Sequence, residues 1–300
     1  ISDFEDTKEH HKNLLKGIES IHDQYILQIS LLIEIFNKAK STYLISKDNL
    51  YGNASSKYSN ERMSKNIFLE LISQNSKVTS LINSRDFINW EFDYKYVTMI
   101  YNEFINTDLF KHYISSDDNS FDSDRKLIYN LCKDIIMPNE KFQEFLEEKN
   151  IFWMDDFPLV NTMILKFIKN STVKSFDKNF YFKLYSNSSD KKYTNDLANL
   201  SLRNFKKNNG LINKYVSNWD VDRIAKIDLV ILNLAITEII DFKLIPVKVS
   251  LNEFIEISKD YSTEKSSFFI NGILDQLVKD LLESKSLIKE GRGLRELYFS

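Results

Sequence analysis

Apolar residues return every third or fourth position along nearly the whole of this chain, and only three prolines and six glycines interrupt its 300 residues. That spacing lines one side of a 3.6-residue helix. With so few residues that break helices or shape tight turns, the chain has little material for a strand-and-turn fold and reads as all-α. At 43% hydrophobic it can bury a core in one large domain or two smaller ones.

The same composition excludes several functions. A net charge of -3 and a pI near 5.9 argue against nucleic-acid binding through bulk positive charge, so any such binding must come from a local patch. The single Cys132 lies in an apolar helical run, LIYNLCKDII, and reads as a buried structural thiol. That usage fits a reducing compartment. No stretch approaches a membrane span and no signal peptide opens the chain, so a cytoplasmic protein with no membrane partner is expected.

Taken in order, the spacing predicts one long helix over Phe4–Leu44, a Ser/Asn/Gly-rich loop over Ser46–Asn60, and short helices over Ile67–Ile72 and Val78–Ile82. A further helix carries Trp90, Tyr94, Val97, Ile100, Tyr101, Phe104 and Ile105, an aromatic stripe read as core. Asp117, Asp118, Asp122 and Asp124 invite comparison with a calcium loop, but a central Gly and a closing Glu are missing; a solvated turn capping the next helix is favoured. Helices follow over Arg125–Ile136 and Glu140–Glu148. Asp155 and Asp156 precede Pro158 and an apolar run from Val160 to Ile168, where they favour a helix entrance. A basic, Asn-rich helix is read from Asp196 toward Val216. After it, Trp219 and Asp220 start a helix with an apolar band wide enough to be central.

Catalytic constellations are missing. None of the four histidines belongs to an HExxH, a Cys pair or a nucleophile elbow, and both GxxxxGK[ST] and GxGxxG are absent. An enzyme is not expected, nor a metal or a cofactor. Gly291 and Gly293 read as tail flexibility.

The most informative stretch is Pro246–Leu282. Val247, Leu251, Phe254, Ile255 and Ser258 line one side of a helix that Pro246 starts, and Ile270, Ile273, Leu274, Leu277 and Leu281 line a second. With Ile270 at the centre of the inward face, Phe269 falls about 100° to one side and Phe268 about 160° away. Gly272 in a helix interior points to close helix approach. Asn252, Glu253 and Glu238 read as buried polar groups that brace neighbouring helices.

Together, DRIAKIDLVILNLAITEII, IPVKVSLNEFIEISKDYS and EKSSFFINGILDQL resemble, in order and spacing, the C-terminal half of the NusB family of transcription antitermination factors. The matching positions are Ala235 to Glu238; Pro246, Lys248, Val249, Leu251, Asn252 and Glu253; and Phe269, Ile270, Asn271, Gly272, Leu274 and Asp275. The N-terminal two thirds resembles a longer, insert-bearing branch, with WMDDFPLV as its phrase. The resemblance implies two packed helical subdomains: an N-terminal region over 1–200 with an insertion from about Asn53 to Leu200, and a NusB-like subdomain over 201–300. It further implies binding of single-stranded boxA-like RNA together with the ribosomal protein NusE, and through other Nus factors an indirect link to RNA polymerase. The candidate RNA residues are Phe269, Lys265, Phe268 and Lys248, and Asp228 is the candidate for the NusE surface. The family aromatic before apolar-Asn-Gly is met by Phe269; Lys265 stands where the family commonly has an acidic residue. The alternative has Phe269 close the edge of the core and Phe268 pack under the N-terminal subdomain, and an Asp at position 228 more often faces water.

The family's arginine-rich N-terminal segment has no counterpart here, because the first arginine is Arg62 and the chain opens at Ile1. Either the arm is lost or the chain is a fragment or processed form, and fewer phosphate contacts predict weaker, less salt-dependent RNA binding. From Ser201 to Ser300 fifteen Lys plus Arg stand against fourteen Asp plus Glu, so that half offers no compensating charge. A protein-binding scaffold without direct RNA contact is therefore the competing reading. An RNA-methyltransferase accessory domain would need a catalytic domain that this sequence lacks.

Overall fold

The computed structural model describes residues 7–48, 61–174, 180, 183–185, 187–216 and 224–294, and these form helices with no strand among them. The chain divides into two compact units, residues 15–184 and residues 1–14 with 185–300.

In the unit of residues 15–184 the spine is α1 (Thr7–Asp48), whose Tyr25, Ile26, Leu27, Ile29, Leu31, Leu32, Ile35 and Phe36 are all buried. Several of its polar side chains are held as well. Gln24 Nε2 donates to Trp153 O at 3.0 Å, Tyr25 Oη to Phe180 O at 2.8 Å, and Ser30 Oγ accepts from Trp90 Nε1 at 2.9 Å. Helix α1 runs through Ser46 to Asp48, where composition suggested a loop; residues 49–60, the rest of that expected loop, lie outside the described set.

Around the spine pack α2 (Ile67–Gln74), α3 (Ser76–Asn83), α4 (Trp90–Ile105), α5 (Asp108–Ser115), α6 (Phe121–Leu131), α7 (Glu140–Lys149) and α8 (Trp153–Asn170). Asparagine starts four of them: the side chains of Asn66, Asn75, Asn89 and Asn139 accept the orphan N–H groups of α2, α3, α4 and α7. Helix α6 passes into a π turn over Cys132–Ile136, closed by Met137 N donating to Cys132 O at 2.9 Å. Cys132 is buried there, and burial pushes its thiol far up.

Two local expectations need correction. Pro158 does not precede the helix but lies inside α8, which begins at Trp153 and has Asp155 and Asp156 in its first turn. As the sixth residue of the helix, this proline removes the bond its amide would have made to Met154 O and sets its ring against that carbonyl, a cost the helix carries. Tyr94, expected in the core stripe, is 39% exposed. The acidic break holds no calcium loop among the described residues. Asp124 is instead buried, with Oδ2 accepting from Ile67 N at 2.6 Å and Oδ1 from Tyr113 Oη at 2.8 Å. The Arg62 guanidinium lies over the Tyr113 ring and donates to the carbonyls of Tyr113, Ser116 and Asp118.

The second unit is built on α9 (Ser188–Tyr215), α10 (Lys226–Asp241), α11 (Val247–Tyr261) and α12 (Glu264–Glu283). Helix α10 packs against all three others, and α9 and α11 each pack on α12. As its wide apolar band predicts, α10 is central: Ile231, Leu232, Ala235, Ile236 and Ile239 are buried, and so are Asn233, Thr237 and Glu238. The start expected at Trp219 and Asp220 lies outside the described residues.

Gly291 and Gly293, read as tail flexibility, belong to a 3-10 turn over Gly291–Leu294 that docks on the end of α10. A Cβ at Gly293 would meet Lys243 O at 2.2 Å, so only glycine allows this approach. Glu290 N donates to Lys243 O at 2.9 Å, and the two side chains pair at 2.8 Å.

Candidate nucleic-acid interface

The sequence-predicted residues gather on the α11–α12 hairpin, and local chemistry sets its shape. Pro246 provides the entrance to α11, after which Val247, Ser250, Phe254 and Ser258 turn inward. At the far end Thr263 caps α12 by accepting from Ser266 N at 3.2 Å. Between the helices, Ser262 Oγ donates to Asp228 Oδ1 at 2.6 Å, which ties the turn to the first turn of α10.

Helix α12 then separates its faces as the wheel requires. Ile270, Ile273, Leu274 and Leu277 are buried, Phe269 is half-buried against the same core, and Phe268 is 74% exposed. Lys265, also exposed, stands one turn before Phe268. These three positions share one end of the hairpin. Lys248 is exposed on the first turn of α11, about 20 Å of helix rise away from that end. Asp228 lies under the turn, 4% exposed, with its carboxylate engaged by Ser262 rather than facing water.

Gly272 is exposed, and a Cβ added there would meet nothing within 4 Å. Close helix approach is therefore not the reason for this glycine. Asn252 and Glu253 are exposed on α11, contrary to the bracing role expected of them, because their positions on the wheel fall opposite Val247 and Phe254. Glu238 does brace: it is buried and accepts from Tyr193 Oη, whose own proton is held more tightly through burial and this carboxylate.

Sequence reasoning missed several residues. Tyr261 is 51% exposed at the end of α11, beside the turn, where the helical stripe stops and periodicity no longer assigns a side. His10 and His11, which belong to no catalytic motif, line a cavity of about 190 Å³ with Leu14, Leu202, Phe205 and Leu234, and His11 Nε2 lies 2.9 Å from Asn195 Oδ1. Lys289 is buried and donates to Phe242 O at 3.1 Å; burial pulls its pKa down to about 8, against the opposing pull of Glu238. No group of three His, Cys, Asp or Glu able to hold a metal occurs among the described residues. Nor, among them, is any helix long and apolar enough to cross a membrane.

Comparison with known proteins points at this same region. The profile described as NusB family matches residues 159–279. The transcription antitermination protein NusB of Salinibacter ruber is 40% identical over 106 residues, covering 35% of this chain and 66% of that protein. Its counterpart from Natranaerobius thermophilus is 43% identical over 93 residues, 31% of this chain and 67% of the relative. The NusB of Methylacidiphilum infernorum is 56% identical over 69 residues, 23% of this chain and 48% of the relative. The chain thus spans between about half and two thirds of the length of these relatives. No solved structure gives a significant match.

Proposed function

The chain belongs to the NusB family, and from that premise we propose that it acts in transcription antitermination by binding single-stranded, boxA-like RNA together with the ribosomal protein NusE. The observation that carries the RNA part is Phe268, a ring 74% exposed on a well-packed helix. A bundle gains nothing from such a side chain, whereas an unpaired base stacked on it contributes roughly 1 to 3 kcal/mol. Phe269 offers a ring edge beside it, and Lys265 supplies a phosphate contact one turn earlier. Lys248, at the other end of α11, serves a separate phosphate along the strand. Asp228 acts on the NusE surface indirectly, by fixing through Ser262 the turn that the partner meets.

The balance of charge over residues 201–300 and the half-buried Asp275, two turns along α12 from Phe268, keep the electrostatic contribution small. The test is a gel-shift series across salt on boxA RNA, with and without NusE. RNA is expected to shift, with a shallow salt slope; Phe268→Ala is expected to weaken the shift while the helical melting curve stays in place, and Phe269→Ala, which also removes a ring packed on the core, to weaken it with a lower melting temperature. No shift under any condition, with NusE still retained by the chain, would leave the protein-binding scaffold as the function. Loss of both partners would sink the proposal as a whole.

A further inference from the structure

The exposed apolar residues are not confined to α12. In the unit of residues 15–184, Phe92 is 84% exposed, Ile151 67% and Phe152 65%. All three lie outside the stretch that the family profile matches. Two contacts join the segments that carry them. Trp90 packs on Phe145 with ring centroids 5.9 Å apart, and Asp93 Oδ2 pairs with Lys149 Nζ at 2.8 Å, so the start of α4 is fastened to the end of α7. Phe92 precedes that ion pair on one side, and Ile151 and Phe152 follow it on the other. Asn150 holds the latter two outward: its Oδ1 accepts from Phe152 N at 3.1 Å and its carbonyl from Trp153 N at 3.0 Å. Three large apolar side chains on a braced surface are a contact patch rather than scattered exposure.

The rim selects the partner. Residues 91–95 and 147–156 carry six carboxylates, Glu91, Asp93, Glu147, Glu148, Asp155 and Asp156, against two lysines. Lys149 is committed to Asp93, and Lys95 lies over the Tyr96 ring. Burial, and then neighbouring Asp155, push the Asp156 carboxyl above its ordinary range. Phosphates would be repelled here, so RNA does not fit. We propose that this surface docks a lysine- and arginine-rich amphipathic helix of a partner protein, its apolar side chains seated on Phe92, Ile151 and Phe152 and its cations facing the acidic rim.

The test measures fluorescence anisotropy of the whole chain with two labelled helical peptides sharing one Leu/Phe face, one with Lys and Arg on the other face and one with Glu. The basic peptide is expected to bind, more weakly at higher salt, and the acidic one not to bind. Phe92→Ser combined with Phe152→Ser should weaken binding about tenfold or more, and Glu148→Lys with Asp155→Lys should remove the salt dependence. Both pairs lie on the surface, so thermal melts should be unchanged. Equal binding of the two peptides, indifference to the Phe pair, competition by a uridine-rich RNA, or self-association of the chain that Phe92→Ser abolishes would each overturn the proposal.

Discussion

In the unit of residues 15–184 the interior is aromatic: Phe68 lies against Phe121 and Phe167, Phe167 against Phe180, Phe104 against Phe110, and Phe145 against Tyr96 and Trp90. Among its buried polar side chains Asn66, Asn75 and Asp124 serve as caps at helix starts, while Gln24, Gln28 and Ser30 lie within α1. In the other unit buried polar groups pair with one another in mid-helix. Asn208 Nδ2 donates to Asn233 Oδ1 at 3.1 Å and to Thr237 Oγ1 at 2.9 Å, and one turn further Glu238 meets Tyr193. One interior is held by bulk and shape, which tolerate many sequences; the other is held by paired donors and acceptors, which demand one alignment of α9 on α10.

Truncation in the aromatic unit sharpens that contrast most. Phe104 is fully buried, so Phe104→Ala should cost about 3 to 5 kcal/mol, read as a fall in the denaturant midpoint. A loss below about 1 kcal/mol would mean that bulk does not hold this interior. In the polar unit the expected loss is smaller and of another kind. Asn208→Ala leaves Asn233 Oδ1 and Thr237 Oγ1 short of a donor and should cost about 1 to 3 kcal/mol. Asn208→Leu combined with Asn233→Leu should recover much of that loss in stability while loosening the register of α9 on α10, visible as faster amide exchange in α9. If the double variant is as unstable as the single one, packing rather than pairing governs this interface as well.

The contrast also sets what could be read in advance. Apolar spacing found α4, the central α10 and the two faces of α12, because burial on one face imposes a period whatever the neighbours are. Phe268 outward and Phe269 at the border follow from the same geometry. The buried asparagines could not be found this way: Asn208 and Asn233 look like surface residues until α9 and α10 are laid together. Asn252 and Glu253 misled for the converse reason, since a family motif can mark an exposed position as readily as a buried one. Pro158 misled because the rule that proline starts helices holds only within the first turn. The proposed docking patch was invisible because Phe92 and Phe152 are sixty residues apart and tertiary contacts such as Trp90 on Phe145 and the Asp93–Lys149 pair join their segments.

The smallest expected effect separates a structural from a functional reading of the α12 surface. A glycine in a helix interior costs about 1 kcal/mol relative to alanine. At Gly272 no close neighbour accounts for that cost, because an added Cβ meets nothing within 4 Å. Gly272→Ala should therefore stabilise the chain by up to about 1 kcal/mol, seen as a rise in melting temperature. The same substitution reports on RNA. Under the proposed RNA contact, Gly272, one turn along from Phe268, leaves the helix backbone open to a strand stacked on that ring, and a methyl group there would hold the strand off. Higher stability with weaker boxA binding ties the glycine to the RNA path. Higher stability with unchanged binding removes Gly272 from that path and restricts the contact to Lys265, Phe268 and Phe269.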